Sequence, residues 1–239
     1  MKKIFVFGAV VMLPLMVQAQ SGTTGGTTSS QSNPTVEDIY LRTTVEVQVI
    51  RSLVQNPSRD QKMKALDYIA NMVEEGKAGP DNIQIIQLLD ELGSEGTSRR
   101  VYEDGRLAND FPEVRRRAAE LLGLVGGPRA RDALIDIANR ERETMVSAEA
   151  IYALGQVEPD EAGLVDTVIA EVIRRQDAVR PDNNLAFAAI MALENLGKAR
   201  RGQVKPEVFT ALVQISQGNY IRAVRNRAVK LLDDFRKYN

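Results

Sequence analysis

The sequence predicts an all-α protein, an α-solenoid of about five antiparallel helix pairs. Three observations lead there. One amphipathic pattern recurs five times with its apolar positions in phase. Nothing after Val36 sustains the alternation of a strand. Turn signals such as "GGP", "VEPD" and "VRPDN" return at the spacing of helix pairs.

Taken in order, the chain opens on "MKK" and the apolar run "IFVFGAVVML", then Pro14 and "MVQAQ". A short basic start, an apolar core and small residues near Ala19 predict a signal peptide over 1–19, cleaved after Ala19. The run is shorter than the roughly 20 residues that span a bilayer, so no stable membrane insertion is expected after cleavage. No cysteine follows it, which excludes a lipid-anchored lipoprotein. The expected address is outside the cytoplasm: the periplasm of a diderm bacterium, or secretion otherwise. Residues 20–34, "QSGTTGGTTSSQSNP", are Gly, Ser and Thr rich and predict a flexible linker. Fully extended it would reach about 50 Å. The solenoid domain is expected over 35–239.

"VEDIYLRTTVEVQVIRSLV" (36–54) heads the first helix pair, and "QKMKALDYIA" (61–70) follows with Ser58 and Gln61 placed as a capping box. The later pairs are "DNIQIIQLLDEL" with "VRRRAAELLG" (114–123), and "PRARDALIDIANR" with "VSAEAIYALG" (146–155). "DEAGLVDTVIAEVIRR" with "LAFAAIMALE" (185–194), and "PEVFTALVQIS" with "VRNRAVKLLD" (224–233), complete the set. Pro128 and Pro206 suit a first helical turn. An alanine holds one column of the second helices: Ala65, Ala118, Ala150, Ala189 and Ala228. These are 53, 32, 39 and 39 residues apart. Ala118, Leu121, Leu122 and Val125 trace the inward stripe, and its small residue lets a partner helix approach closely.

The run "FPEVRRRAAELLGLVGGPRARDALIDIA" (111–138) resembles the HEAT-repeat family, particularly the short bacterial HEAT-like repeats also found in phycobilisome-lyase proteins. The resemblance covers about 111–197 and weakens at both ends. It departs over 58–110, and the Val-Arg pair is lost at 146 and 185. A tetratricopeptide array would keep a constant spacing and a tryptophan signature; here the spacing is uneven and tryptophan is absent. The resemblance implies a HEAT-like superhelix whose second helices line the concave surface. It also implies that Arg115, Arg225 and Lys62, in the column after the valine, bond to acidic or loop groups of neighbouring repeats. Chromophore attachment, which the lyase association suggests, finds no support in these residues.

Two features stand apart from the repeat. In the exposed column of the second helices, the middle repeats carry Ala148, Tyr152, Phe187 and Met191. These are bracketed by Arg116 and Glu120 on one side and Asn226 and Lys230 on the other. An apolar patch with a charged rim suits a protein-binding groove; tight curvature burying these side chains on one another is the alternative. Arg116 has Glu113 and Glu120 at helical spacing as expected ion-pair partners. The second feature is the insertion 93–110, longer than the other turns. It offers Arg99, Arg100, Tyr102, Asp104 and Arg106, with a hairpin turn at "EDGR". It is either a contact finger or a plain surface insertion.

Composition excludes much chemistry. The chain has no cysteine and no histidine, hence no disulfide, no thiol nucleophile and no imidazole base or ligand. No paired-carboxylate segment and no calcium-loop pattern is seen, and "VEPDE" (157–161) reads as helix capping. No catalytic, cofactor or metal residues are expected. Loss of Lys2 and Lys3 with the signal peptide leaves 29 basic against 32 acidic residues, a net charge near −3. The column through Arg116 is not a basic stripe, so no nucleic-acid partner is expected. The expectation is an exported, non-catalytic adaptor or scaffold for another envelope protein. Self-assembly into an envelope structure, or a carboxylate-using enzyme or enzyme subunit, are the alternatives.

Overall fold

An amphipathic helix pair cannot bury its apolar stripe alone, so five such pairs stack on one another. The computed structural model describes residues 36–237, with side chains from Thr44 onward. The signal peptide and linker expected over 1–34 lie outside the described residues.

Among these residues the helices are α1 (Val36–Gln55), α2 (Arg59–Glu74), α3 (Ile83–Gly93), α4 (Pro112–Val125) and α5 (Gly127–Arg140). They continue as α6 (Thr144–Leu154), α7 (Leu164–Val179), α8 (Asn183–Ala199), α9 (Pro206–Gln217) and α10 (Arg222–Arg236). Two short strands, β1 (Tyr102–Glu103) and β2 (Arg106–Leu107), lie between α3 and α4. Even-numbered helices pack against even-numbered ones, and odd against odd, with each pair closed across the two layers. The result is an all-α solenoid. One continuous hydrophobic core runs through all five pairs.

The alanine column does what its size predicts. Ala65, Ala118, Ala150, Ala189 and Ala228 are all fully buried. Closer still are two glycines at the ends of α4 and α6. A Cβ on Gly123 would lie 2.8 Å from the Ala153 Cβ, and one on Gly155 only 2.4 Å from the Ala192 Cα. Gly155 has an ordinary helical φ of −75°, so contact, not backbone conformation, demands glycine there. Gly155→Val is expected to force α6 off α8 and destabilise the fold by about 1–3 kcal/mol or more. The midpoint of urea unfolding measures it; an unchanged midpoint would show that the two helices do not meet this closely.

Local signals set most helix starts. Pro112 and Pro206 occupy first turns, as does Pro128 in α5. Asn82 caps α3 by accepting from the Ile85 N–H at 3.2 Å. Asp182 caps α8 by accepting from Asn184 and Leu185, each at 2.9 Å. Asp160, in the "VEPDE" turn, accepts from Leu164 at 2.7 Å and Val165 at 3.2 Å, the capping role expected of that turn. The capping box at Ser58 does not form. Ser58 sits at the N-cap, but its side chain makes no cap bond; only its carbonyl accepts from Gln61 and Lys62.

The insertion folds as a hairpin at the predicted turn. Tyr102 pairs with Leu107 and Glu103 with Arg106, and Asp104 and Gly105 both have positive φ, 48° and 76°. That is the two-residue turn matched to strand twist, for which Asp-Gly is favoured. Asn109 ties the base by donating to the Arg99 carbonyl at 2.7 Å and accepting from the Val101 N–H at 2.9 Å.

Candidate functional site

The three consecutive arginines of α4 separate into different jobs. Arg115 is buried, its Nε 2.7 Å from Glu141 Oε2 and its Nη1 2.7 Å from Asp110. It also donates to the Glu95 carbonyl at the base of the insertion. Glu141 accepts in addition from the Arg142 and Glu143 N–H groups just ahead of α6. One guanidinium therefore joins the insertion, α4 and the next repeat. Burial pulls the Arg115 pKa down, but hydrogen bonds to Glu141 and Asp110 outweigh it and hold it above the ordinary value.

One repeat earlier, Lys62 fills the same column. Its Nζ lies 2.6 Å from both Glu95 Oε1 and the Val54 carbonyl. Burial pushes the Glu95 carboxyl up despite this partner, and its second oxygen has no hydrogen bond. Both residues thus reach neighbouring loops, as the resemblance implied. Arg225, in the last described helix, is exposed instead.

Where that column holds Ser147 and Ala186, a different joint takes over. Arg200 pairs with the fully buried Asp166 at 2.8 Å and donates to the Asp160 carbonyl at 2.9 Å. Burial raises the Asp160 carboxyl, yet the Leu164 and Val165 N–H groups and Arg200 hold it below its usual range. Asp177 accepts from Tyr220 and, at 2.6 Å, from Gln214. These groups are structural joints.

The face of the even-numbered helices carries the patch. Tyr152 is 38% exposed and Phe187 47% exposed, while Met191 is half-buried. Tight curvature does not bury the two rings. Ala148 was expected beside them on the surface, but only 7% of it is accessible. It belongs to the buried core instead, since its single methyl is too short to reach past the stacked helices. Met191 Sδ lies 4.0 Å from Arg227 Nη2, and Arg227 pairs with Glu194. Asn226 and Lys230 are exposed on α10, and Arg116 on α4.

Ion pairing at the rim differs from expectation. Arg116 reaches Glu149 of the next repeat at 3.8 Å. Glu120 pairs with Arg117 at 2.7 Å, and Glu113 pairs with Arg59 of the preceding repeat. Spacing along one helix favoured the local partners, but stacking brings other charges nearer. Burial pushes the Glu149 carboxyl up, reinforced by Glu120 and opposed by Arg116 and Arg117. Leu124, one turn beyond Glu120 on α4, is also exposed. Its i+4 spacing was the available signal.

The insertion leads directly into α4. Arg99, Arg100, Tyr102, Asp104 and Arg106 are all exposed. Arg99 pairs with Glu91 at 3.2 Å, and Arg100 donates to the Thr97 carbonyl at 2.9 Å. On the odd-numbered helices, a groove of about 450 Å³ is lined by Ile86, Asp90, Asp132, Asp136 and Leu164, among others. Burial raises the Asp90 carboxyl, Arg99 lowers it and Asp136 raises it further; Asp136 itself lies 3.6 Å from Arg140. Among the described residues no cluster of acidic side chains could hold a metal ion. None of the described helices is long and apolar enough to cross a membrane.

Residues 105–170, from the hairpin turn into α7, match the family model described as HEAT repeats. No curated protein matches the chain. The matched segment continues on both sides into helix pairs stacked in the same way, and the match at 105–170 supports a HEAT-repeat assignment.

Proposed function

We propose that the protein is an exported, non-catalytic adaptor that binds another protein of the cell envelope through the even-helix face. HEAT repeats generally mediate protein–protein interaction. The observation carrying the proposal is the pair of exposed rings, Tyr152 and Phe187, within a charged rim. Aromatic anchors surrounded by polar groups are the usual centre of a protein interface. Export rests on the N-terminal 19 residues, and the envelope address follows from it.

Tyr152→Asp/Phe187→Asp is expected to leave the helical signal and melting temperature nearly unchanged, since both rings project into solvent. In-cell crosslinking followed by pull-down should then capture a partner with the wild type and lose it with the variant. Identical partners from both would move the contact elsewhere, and the hairpin at 102–107 would be next.

One observation favours a second reading, an enzyme subunit using carboxylates: the raised Asp90 in the odd-helix groove. Arg99 and Arg140 stand among the charges around it, which suits a surface ion-pair cluster better than a general acid.

A further inference from the structure

We infer that the two ends of the array are complementary and that the protein stacks head to tail with a second copy of itself. The inference follows from equivalent positions in the even helices. The residue one turn after Ala118 is Leu121, and its counterparts Ala153, Ala192 and Leu231 are buried as it is. This position faces the preceding repeat, because Gly123 closes on Ala153 and Gly155 on Ala192. In α2 it is Tyr68, and there it is 53% exposed. The residue directly after the column alanine is buried in four helices, as Leu66, Ala119, Ile151 and Ile190. In α10 it is Val229, and it is 46% exposed. Each end therefore displays an apolar side chain at a position that stacking covers everywhere else. Arrays that stay single carry polar residues on their outermost faces.

The N-terminal end is also hollow. A groove of about 340 Å³ lies there, lined by Val45, Val49, Ile50, Tyr68 and Met72 among others. At the opposite end Val213 of α9 is exposed as well.

Charge selects the occupant. Within the chain, Glu194 of α8 pairs with Arg227 of α10 across the last inter-repeat contact. At the ends, the residue equivalent to Glu194 is Asp233 and the one equivalent to Arg227 is Lys64. Lys64 is exposed, and among the described residues no carboxylate pairs with it; among them, too, the one cation that Asp233 reaches is Arg236, at 3.8 Å. Docking α10 of one copy on α2 of another would bring Asp233 to Lys64, repeating the acid–base contact already used inside the array. Such a contact joins two different surfaces, so it propagates into a filament or closes into a ring.

Sedimentation of the full chain over a range of concentrations tests this. The wild type should grow in mass with concentration. Tyr68→Glu and Val229→Glu should each weaken association by about tenfold or more, with unchanged melting curves because both sites are exposed. The two variants mixed should form dimers that grow no further, since each supplies the surface the other lacks. Lys64→Glu should weaken association, and Lys64→Glu/Asp233→Lys should restore it. A wild type that is monomeric throughout would overturn the inference. So would assembly that both end variants leave intact, or dimers formed by either variant alone.

Discussion

Ala118→Asp unfolds the protein. Ala118 is fully buried where α4 packs on its neighbours, and a Cβ on Gly93 of α3 would come within 3.9 Å of its methyl. Two effects add. The extra heavy atoms overfill a contact sized for a methyl, at about 1–3 kcal/mol. The carboxyl also loses water without gaining a partner, at about 2–7 kcal/mol even when protonated. Together they approach the whole stability of an ordinary domain, about 5–15 kcal/mol. Burial raises the folded-state pKa of the introduced carboxyl above its unfolded value. The penalty is therefore smallest at acidic pH and grows as pH rises through the carboxylate range. Circular dichroism at neutral pH should show most helical signal lost at a temperature where the wild type is folded. A cooperative transition within a few degrees of wild type would mean that α3 and α4 do not meet at this alanine.

Arg115→Ala is the second large effect, through charge and not volume. Removing the guanidinium strands Glu141, which is as buried as the arginine, and frees Asp110 and the Glu95 carbonyl. Breaking one side of a buried pair destabilises by about 3–5 kcal/mol. For a protein of this length each kcal/mol shifts the melting temperature by about 2–4 °C. The expected fall is thus roughly 6–20 °C. Stability in a stacked array is a sum of repeat and interface contributions, so loss should centre on the joint. Amide exchange should accelerate first in the 94–111 segment and at the start of α6. Arg116→Ala is the control: its 3.8 Å pair with Glu149 is half-exposed, and such pairs contribute about 0–1 kcal/mol. Equal shifts for the two variants would refute the assignment of Arg115 as the joint.

Within α4, then, the repeat pattern separated a structural arginine from a surface one. The same column logic located Lys62, and the turn chemistry of "EDGR" located the hairpin. Where partners belong to different repeats, the pattern was silent. Arg200 and Asp166 are 34 residues apart and Arg59 and Glu113 are 54 apart. Nothing in a spacing of 32 to 53 residues between copies says which side chain of one loop meets which of the next. Ala148 shows the same limit at the candidate site. Its column is exposed at Arg116, Phe187 and Asn226 and half-buried at Met63, but how deep a methyl sits depends on how closely α6 approaches its neighbours.

Periodicity, small residues and turn chemistry are local properties, carried by a few consecutive residues, and the sequence by itself determined what depends on them. That covers the helices, their inward stripes, their pairing into a solenoid and the hairpin. Tertiary structure alone decided which charges are buried, which carboxylate Arg116 meets and which patch residues stay in water. It also decided that Tyr68 and Val229 are left uncovered at the two ends. Those outcomes depend on distances between repeats, set by the stacking of whole helices and by nothing within any one of them.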